Sequence, residues 1–181
     1  MTGRLTSTLL AVLLSLQAQA ADKITREDIQ QVIDVTDAAA RNHDTAGIGE
    51  HLSARFVKIV EFPHDRWMAK IRLDKKKYLE LIDAGWPTIK DYTYQRDSTR
   101  IHIMPDGLSG HSYATITETL SLDGTRRISK FREHAVYALE NGRPVITKIS
   151  GHTLVGDTMP VPKQLPLKPD NSGPADRDAV P

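Results

Sequence analysis

The sequence predicts an α+β domain: a long, curved antiparallel sheet with three N-terminal helices packed on its concave face, forming a cone with a pocket. Two observations carry this. Asp106-Gly107, Asp123-Gly124 and Asn141-Gly142 recur at spacings of 17 and 18 residues, and Asx-Gly pairs supply the positive φ that tight hairpin turns require, so four strands form a meander. Ahead of them, apolar residues recur at helical spacing and leave faces that a sheet must cover.

In chain order, Arg4, the apolar run Leu9–Leu16 and Ala18-Gln19-Ala20 form a signal peptide over residues 1–20, cleaved after Ala20. The run is too short to span a bilayer. Thr25 caps a first helix over about 27–41, with Glu27 and Asp28 meeting the positive end of its dipole and Ile29, Val32, Ile33, Thr36 and Ala40 on one side. Asp44 caps a second, glycine-weakened helix to about Leu52, and Val57, Ile59 and Val60 mark a strand over 56–62. Residues 64–73 fit either a helical turn or a lid over the pocket mouth. Asp74 caps a third helix over 75–85 that Trp86-Pro87 ends.

The meander strands fall at 89–104, 108–122, 125–140 and 143–155. The domain proper is residues 21–157. Residues 158–181 carry six prolines among charged and small residues, a composition that cannot bury enough apolar surface to order itself, so the tail is expected to be disordered.

Composition narrows the function classes. With no cysteine, disulfides, thiolate metal sites, a lipobox anchor and cysteine nucleophiles are all excluded. Removing Arg4 with the signal leaves 23 basic against 23 acidic residues, which points to no nucleic-acid surface and no membrane insertion. Seven histidines include no His-x-x-x-His pair, and His102 with His111 across the first hairpin makes a two-ligand site at most, so no metal and no cofactor is expected. Neither a Gly-x-Ser-x-Gly elbow nor a phosphate loop occurs.

Helix, helix, strand, helix and four long strands is an order that resembles the nuclear transport factor 2-like cone fold, which includes SnoaL-like cyclases, ketosteroid isomerase and scytalone dehydratase. The resemblance spans about residues 25–153. It is most specific at Arg132-Glu133-His134-Ala135-Val136-Tyr137, leading into Asn141-Gly142-Arg143. Pro144 stands where many relatives carry tryptophan, and no acid here matches the isomerases' proton-transfer residue; Glu61 is the nearest. The resemblance implies that Arg132 and His134 face the concave side.

A two-residue turn at Asn141-Gly142 pairs Glu140 with Arg143 and sets His134 opposite Ile149. A two-residue turn at Asp123-Gly124 puts Tyr113 and Thr115 beside His134 and Arg132; one extra loop residue brings Glu118 there instead. Arg132, His134, Glu118, Tyr113, Thr115 and Tyr94 are therefore the expected ligand-binding residues. An imidazole exchanges protons near neutral pH and a guanidinium grips an oxyanion in two parallel hydrogen bonds. With no definite acid–base pair, the expectation is an exported, non-catalytic domain binding a small apolar or acidic ligand, homodimeric through its sheet and located in the periplasm or outside the cell. The alternatives are an isomerase- or dehydratase-like enzyme using His134 and Arg132, and an interaction subunit using the apolar face of Phe131, Tyr137, Leu139 and Ile146.

Overall fold

Why the chain covers one face of its sheet and not the other follows from where its apolar residues fall. A computed structural model describes residues 22–64, 67–156 and 168–169. The expected signal peptide and nearly all of the expected tail lie outside the described residues. Helix α1 (Arg26–Arg41) opens on a reciprocal cap in which Thr25 and Asp28 each bond the other's backbone N–H. Ile29, Val32 and Ile33 are its buried stripe. Helix α2 (Thr45–Glu50) is capped by Asp44 and α3 (Lys75–Gly85) by Asp74, as the sequence predicts. A 3₁₀ turn at Trp86–Thr88 follows α3. Among the described residues, no helix is long and apolar enough to cross a membrane.

The strands are β1 (Leu52–His64), β2 (Trp67–Asp74), β3 (Lys90–Ile103), β4 (Ser109–Leu122), β5 (Thr125–Glu140), β6 (Arg143–Gly156) and β7 (Lys168–Pro169), in sheet order β3-β4-β5-β6-β1-β2-β7. Asp123-Gly124 and Asn141-Gly142 take positive φ at both residues, the conformation that closes two-residue hairpins without splaying the strands. Leu122 pairs with Thr125 and Glu140 with Arg143, so both turns are as expected.

Two features correct the sequence reading. The sheet is mixed, because β1 lies parallel to β6, a long-range pairing that no local signal announces. Residues 67–74 form β2, antiparallel to β1, instead of a helical turn or lid.

Helix α1 packs on β3 and β6, α3 packs on β1 and β2, and α2 bridges the two helices. Ile29, Ile33, Phe56, Ala135, Tyr137 and Ile146 make the centre of the core, where each large side chain contributes about 1.5–3 kcal/mol by leaving water. Gly110 lets α1 approach β4 closely, since a Cβ there would overlap Ile29. The covered face thus carries Phe131, Glu133, Ala135, Tyr137 and Leu139. Arg132 and His134 alternate with these and point to the open face, which corrects the expected placement. Most of the apolar set proposed as an exposed interaction patch belongs to the core: Tyr137 and Ile146 are buried and Leu139 packs against them, while Phe131 is half-buried.

Strand β6 adds a further correction. A bulge between the Val136–Lys148 and Tyr137–Ile146 pairs shifts the register by one, so His134 lies opposite Ser150 and not Ile149. The bulge allows Ile146 and Ile149 both to reach the core, which strict alternation forbids.

Candidate functional site

Beneath the helices, the covered face holds a cluster of charged and phenolic side chains. On β3, alternation sends Tyr92, Tyr94 and Arg96 to the same side. The Arg96 guanidinium grips Asp37 of α1 in two parallel bonds, Nε to Oδ2 at 2.8 Å and Nη2 to Oδ1 at 2.9 Å. It also donates to the Tyr94 hydroxyl at 2.8 Å and to Glu133 at 3.0 Å. Burial alone would lower the Arg96 pKa, but the Asp37 bonds and the charge of Glu133 outweigh it and hold the guanidinium charged above its ordinary range. Its Nη1 is buried without a partner among the described residues.

Lys58 of β1 lies 3.7 Å from the second Glu133 oxygen and sits over the Tyr78 and Phe131 rings at 5.8 and 6.0 Å. Glu118 accepts a hydrogen bond of 3.0 Å from the Tyr92 hydroxyl. Burial pushes the Glu118 carboxyl up, with Glu133 adding to the shift and Tyr92 and Lys58 opposing it, so Glu118 keeps its proton to higher pH than a free carboxyl does. Burial and the nearby carboxylates likewise raise the Tyr92 and Tyr94 phenols, which remain hydrogen-bond donors. Tyr94 accepts from Arg96, and its own proton finds no acceptor among the described residues. Tyr92, Tyr94, Tyr78, Lys58 and Glu118 are all half-buried. His43 stacks on Trp86 at 4.5 Å with Tyr92 edge-on to both, fixing the aromatic side of the cup.

On the open face, Tyr113 pairs with His134 and Thr115 with Arg132, the company that the two-residue turn predicts. His111 Nδ1 and His134 Nε2 are 2.9 Å apart, a hydrogen bond in which one ring N–H donates and the other ring nitrogen accepts. The Tyr113 ring stacks flat on His134 at 4.5 Å. Burial lowers the His134 pKa, and His111 and Lys148 add to the effect, favouring neutral imidazole. Although His102 and His111 are register partners, the His111 ring turns to His134.

The six expected ligand-binding residues therefore divide. Arg132, His134, Tyr113 and Thr115 line an open groove of about 410 Å³ on the exposed face, whereas Glu118 and Tyr94 are in the cup. Glu118 cannot approach Arg132, because the hairpin carries no extra residue and alternation turns the two to opposite faces. Sequence reasoning missed Asp37, Lys58, Arg96 and Glu133 as one network. A signal existed: Asp37 continues the Ile29, Ile33 stripe at steps of four, and a charge on an apolar stripe demands a buried partner.

No protein-family model matches the sequence, and no curated protein matches it. Solved structures do match. A nuclear transport factor 2-like protein from Cytophaga hutchinsonii is 15% identical with a TM-score of 0.58, over 72% of this chain and 100% of the other. A ketosteroid isomerase-like protein from Erwinia carotovora atroseptica is 11% identical with a TM-score of 0.55, over 71% and 95%. LinA is 11% identical with a TM-score of 0.60, over 75% and 89%. Likeness at such low identity establishes a nuclear transport factor 2-like cone fold and no activity.

Proposed function

We propose that the cone interior is a non-catalytic binding site for a small, largely apolar molecule bearing a neutral carbonyl oxygen, in a chain exported after cleavage at Ala20. The observation that supports this most is the excess of unused donors in the cup: the Tyr94 hydroxyl proton and Arg96 Nη1, with Lys58 nearby. Arg96 Nη1, buried without an acceptor among the described residues, costs about 1–3 kcal/mol, and a ligand oxygen relieves that cost. The ions Arg96 and Lys58 are already balanced by Asp37 and Glu133, so a charged carboxylate would enter a site with no charge to neutralise it. Tyr78, Phe131 and Tyr92 supply apolar walls for the body of the ligand.

Calorimetric titration of the full mature chain with acetophenone, against ethylbenzene, tests the reading. Acetophenone should saturate, ethylbenzene should bind at least fivefold more weakly, and Tyr94→Phe should remove most of that difference, in line with about 1 kcal/mol for one hydrogen bond. Equal binding of both probes, or no saturation, overturns it. Sequencing the exported protein should give Ala21 as the first residue.

A second reading rests on Glu118, a carboxyl of raised pKa held by a phenol inside the cup. Such a group can move a proton next to a bound carbonyl. Incorporation of deuterium into the methyl group of acetophenone, abolished by Glu118→Gln, would make the site enzymatic. The enzymatic alternative built on His134 is not retained, since that side chain faces away from the cup and is held by His111.

A further inference from the structure

The groove on the exposed sheet face carries chemistry that the cup does not use. Arg100 of β3 and Arg132 of β5 both line it, and no hydrogen bond or ion pair engages either guanidinium among the described residues. They flank β4, where Arg100 is the register partner of Tyr113 and Arg132 that of Thr115. Two strand spacings across and two residues along the strand set their backbones roughly 12 Å apart, a gap that two arginine side chains close over one small ligand. Two carboxylates line the groove among the described residues, and both are already engaged: Glu61 by Lys70 at 3.0 Å and His152 at 3.5 Å, and Glu133, whose side chain turns to the covered face, by Arg96 at 3.0 Å and Lys58 at 3.7 Å. Thr115, Ser150 and His134 add hydrogen-bonding groups along the floor.

We propose that this groove is a second ligand site, distinct from the cup, which binds a small molecule through an oxyanion gripped between Arg100 and Arg132. The unneutralised positive charge selects the ligand class, and paired guanidinium forks match the oxygens of a phosphate or carboxylate. Tyr113, 49% exposed as a residue and stacked flat on His134, offers a planar wall for the rest of the ligand. Charge also argues against a second copy as the occupant. A twofold axis through the groove would set these cations against their own images.

Inorganic phosphate is the probe, added to the full mature chain in low-chloride buffer and followed by the NMR signals of the arginine Nε–H groups and the histidine rings. Saturable shifts are expected at Arg100, Arg132 and His134. Arg100→Gln and Arg132→Gln should each weaken binding about fivefold or more, as for loss of a charge-assisted hydrogen bond. Lys76→Gln, an equal charge loss on α3, and Tyr94→Phe in the cup should change it less than twofold. Non-saturating shifts, or equal weakening by Lys76→Gln, would reduce the effect to general electrostatics and overturn the site. A phosphate response that tracks dimer formation in sedimentation velocity would overturn it in favour of a second copy.

Discussion

Inside the cone, Arg96 is wedged between Asp37, Tyr94 and Glu133, with its side chain 12% exposed. On the reverse of the same strands, Arg100 and Arg132 meet no acid among the described residues. The two regions are built from the same residue types, often adjacent in sequence, such as Arg132 beside Glu133. They differ because a charge beneath the helices must be neutralised where it stands, whereas a charge on the open face is solvated by water. An interior ion pair is consequently part of the architecture, and an unpaired exterior cation is available to a ligand.

The contrast is broken most sharply by removing one interior partner. Asp37→Ala should destabilise the protein by about 3–5 kcal/mol, because the Arg96 charge is left buried and uncompensated; urea denaturation measures this, and a loss below about 1 kcal/mol would mean that water reaches the pair. Tyr137→Phe is expected to cost about 1–2 kcal/mol by the same method, since the buried Ser112 hydroxyl 3.0 Å away loses its partner. The Tyr137 phenol is pushed up to about 12, mainly by burial, so this cost should stay constant across the neutral pH range.

Glu118→Gln should act in the opposite direction. The folded-state pKa of Glu118 lies above its unfolded value, so folding favours the protonated carboxyl: that stabilisation is complete below the unfolded pKa and lost as pH rises through the folded one. The variant, which cannot ionise, should therefore gain in melting temperature relative to the parent as pH rises, and match it under acid conditions. A parent that is relatively more stable at neutral pH would show that the carboxylate is well solvated. Smallest of all, Arg132→Gln should change stability by less than about 0.5 kcal/mol, as expected for an exposed side chain. A larger loss would mean that the open face is also an architectural surface.

Local chemistry made much of this fold readable. Asx-Gly pairs placed both hairpins, and of the two registers open at Asp123-Gly124 the two-residue turn is the one that sets Tyr113 against His134, while Asp44 and Asp74 announced their helices. β2 was also readable: Ala69, Ile71 and Leu73 alternate with Lys70, Arg72 and Asp74, a period of two that a helical turn does not show. What could not be read was non-local. The parallel pairing of β1 with β6 joins segments about 90 residues apart in sequence, and the bulge near Thr147 changes which residues share a face without any Gly or Pro to mark it. The side covered by helices follows from the apolar set Ala135, Tyr137 and Ile146, a stronger guide than the positions of Arg132 and His134.

The most direct test of this account is a crystal structure of the full mature chain grown with acetophenone. The carbonyl oxygen is expected within hydrogen-bond distance of the Tyr94 hydroxyl or Arg96 Nη1, with the ring against Phe131 and Tyr78. Density for the probe in the Arg100–Arg132 groove, with the cup closed on its own side chains, would contradict the division of roles between the two faces.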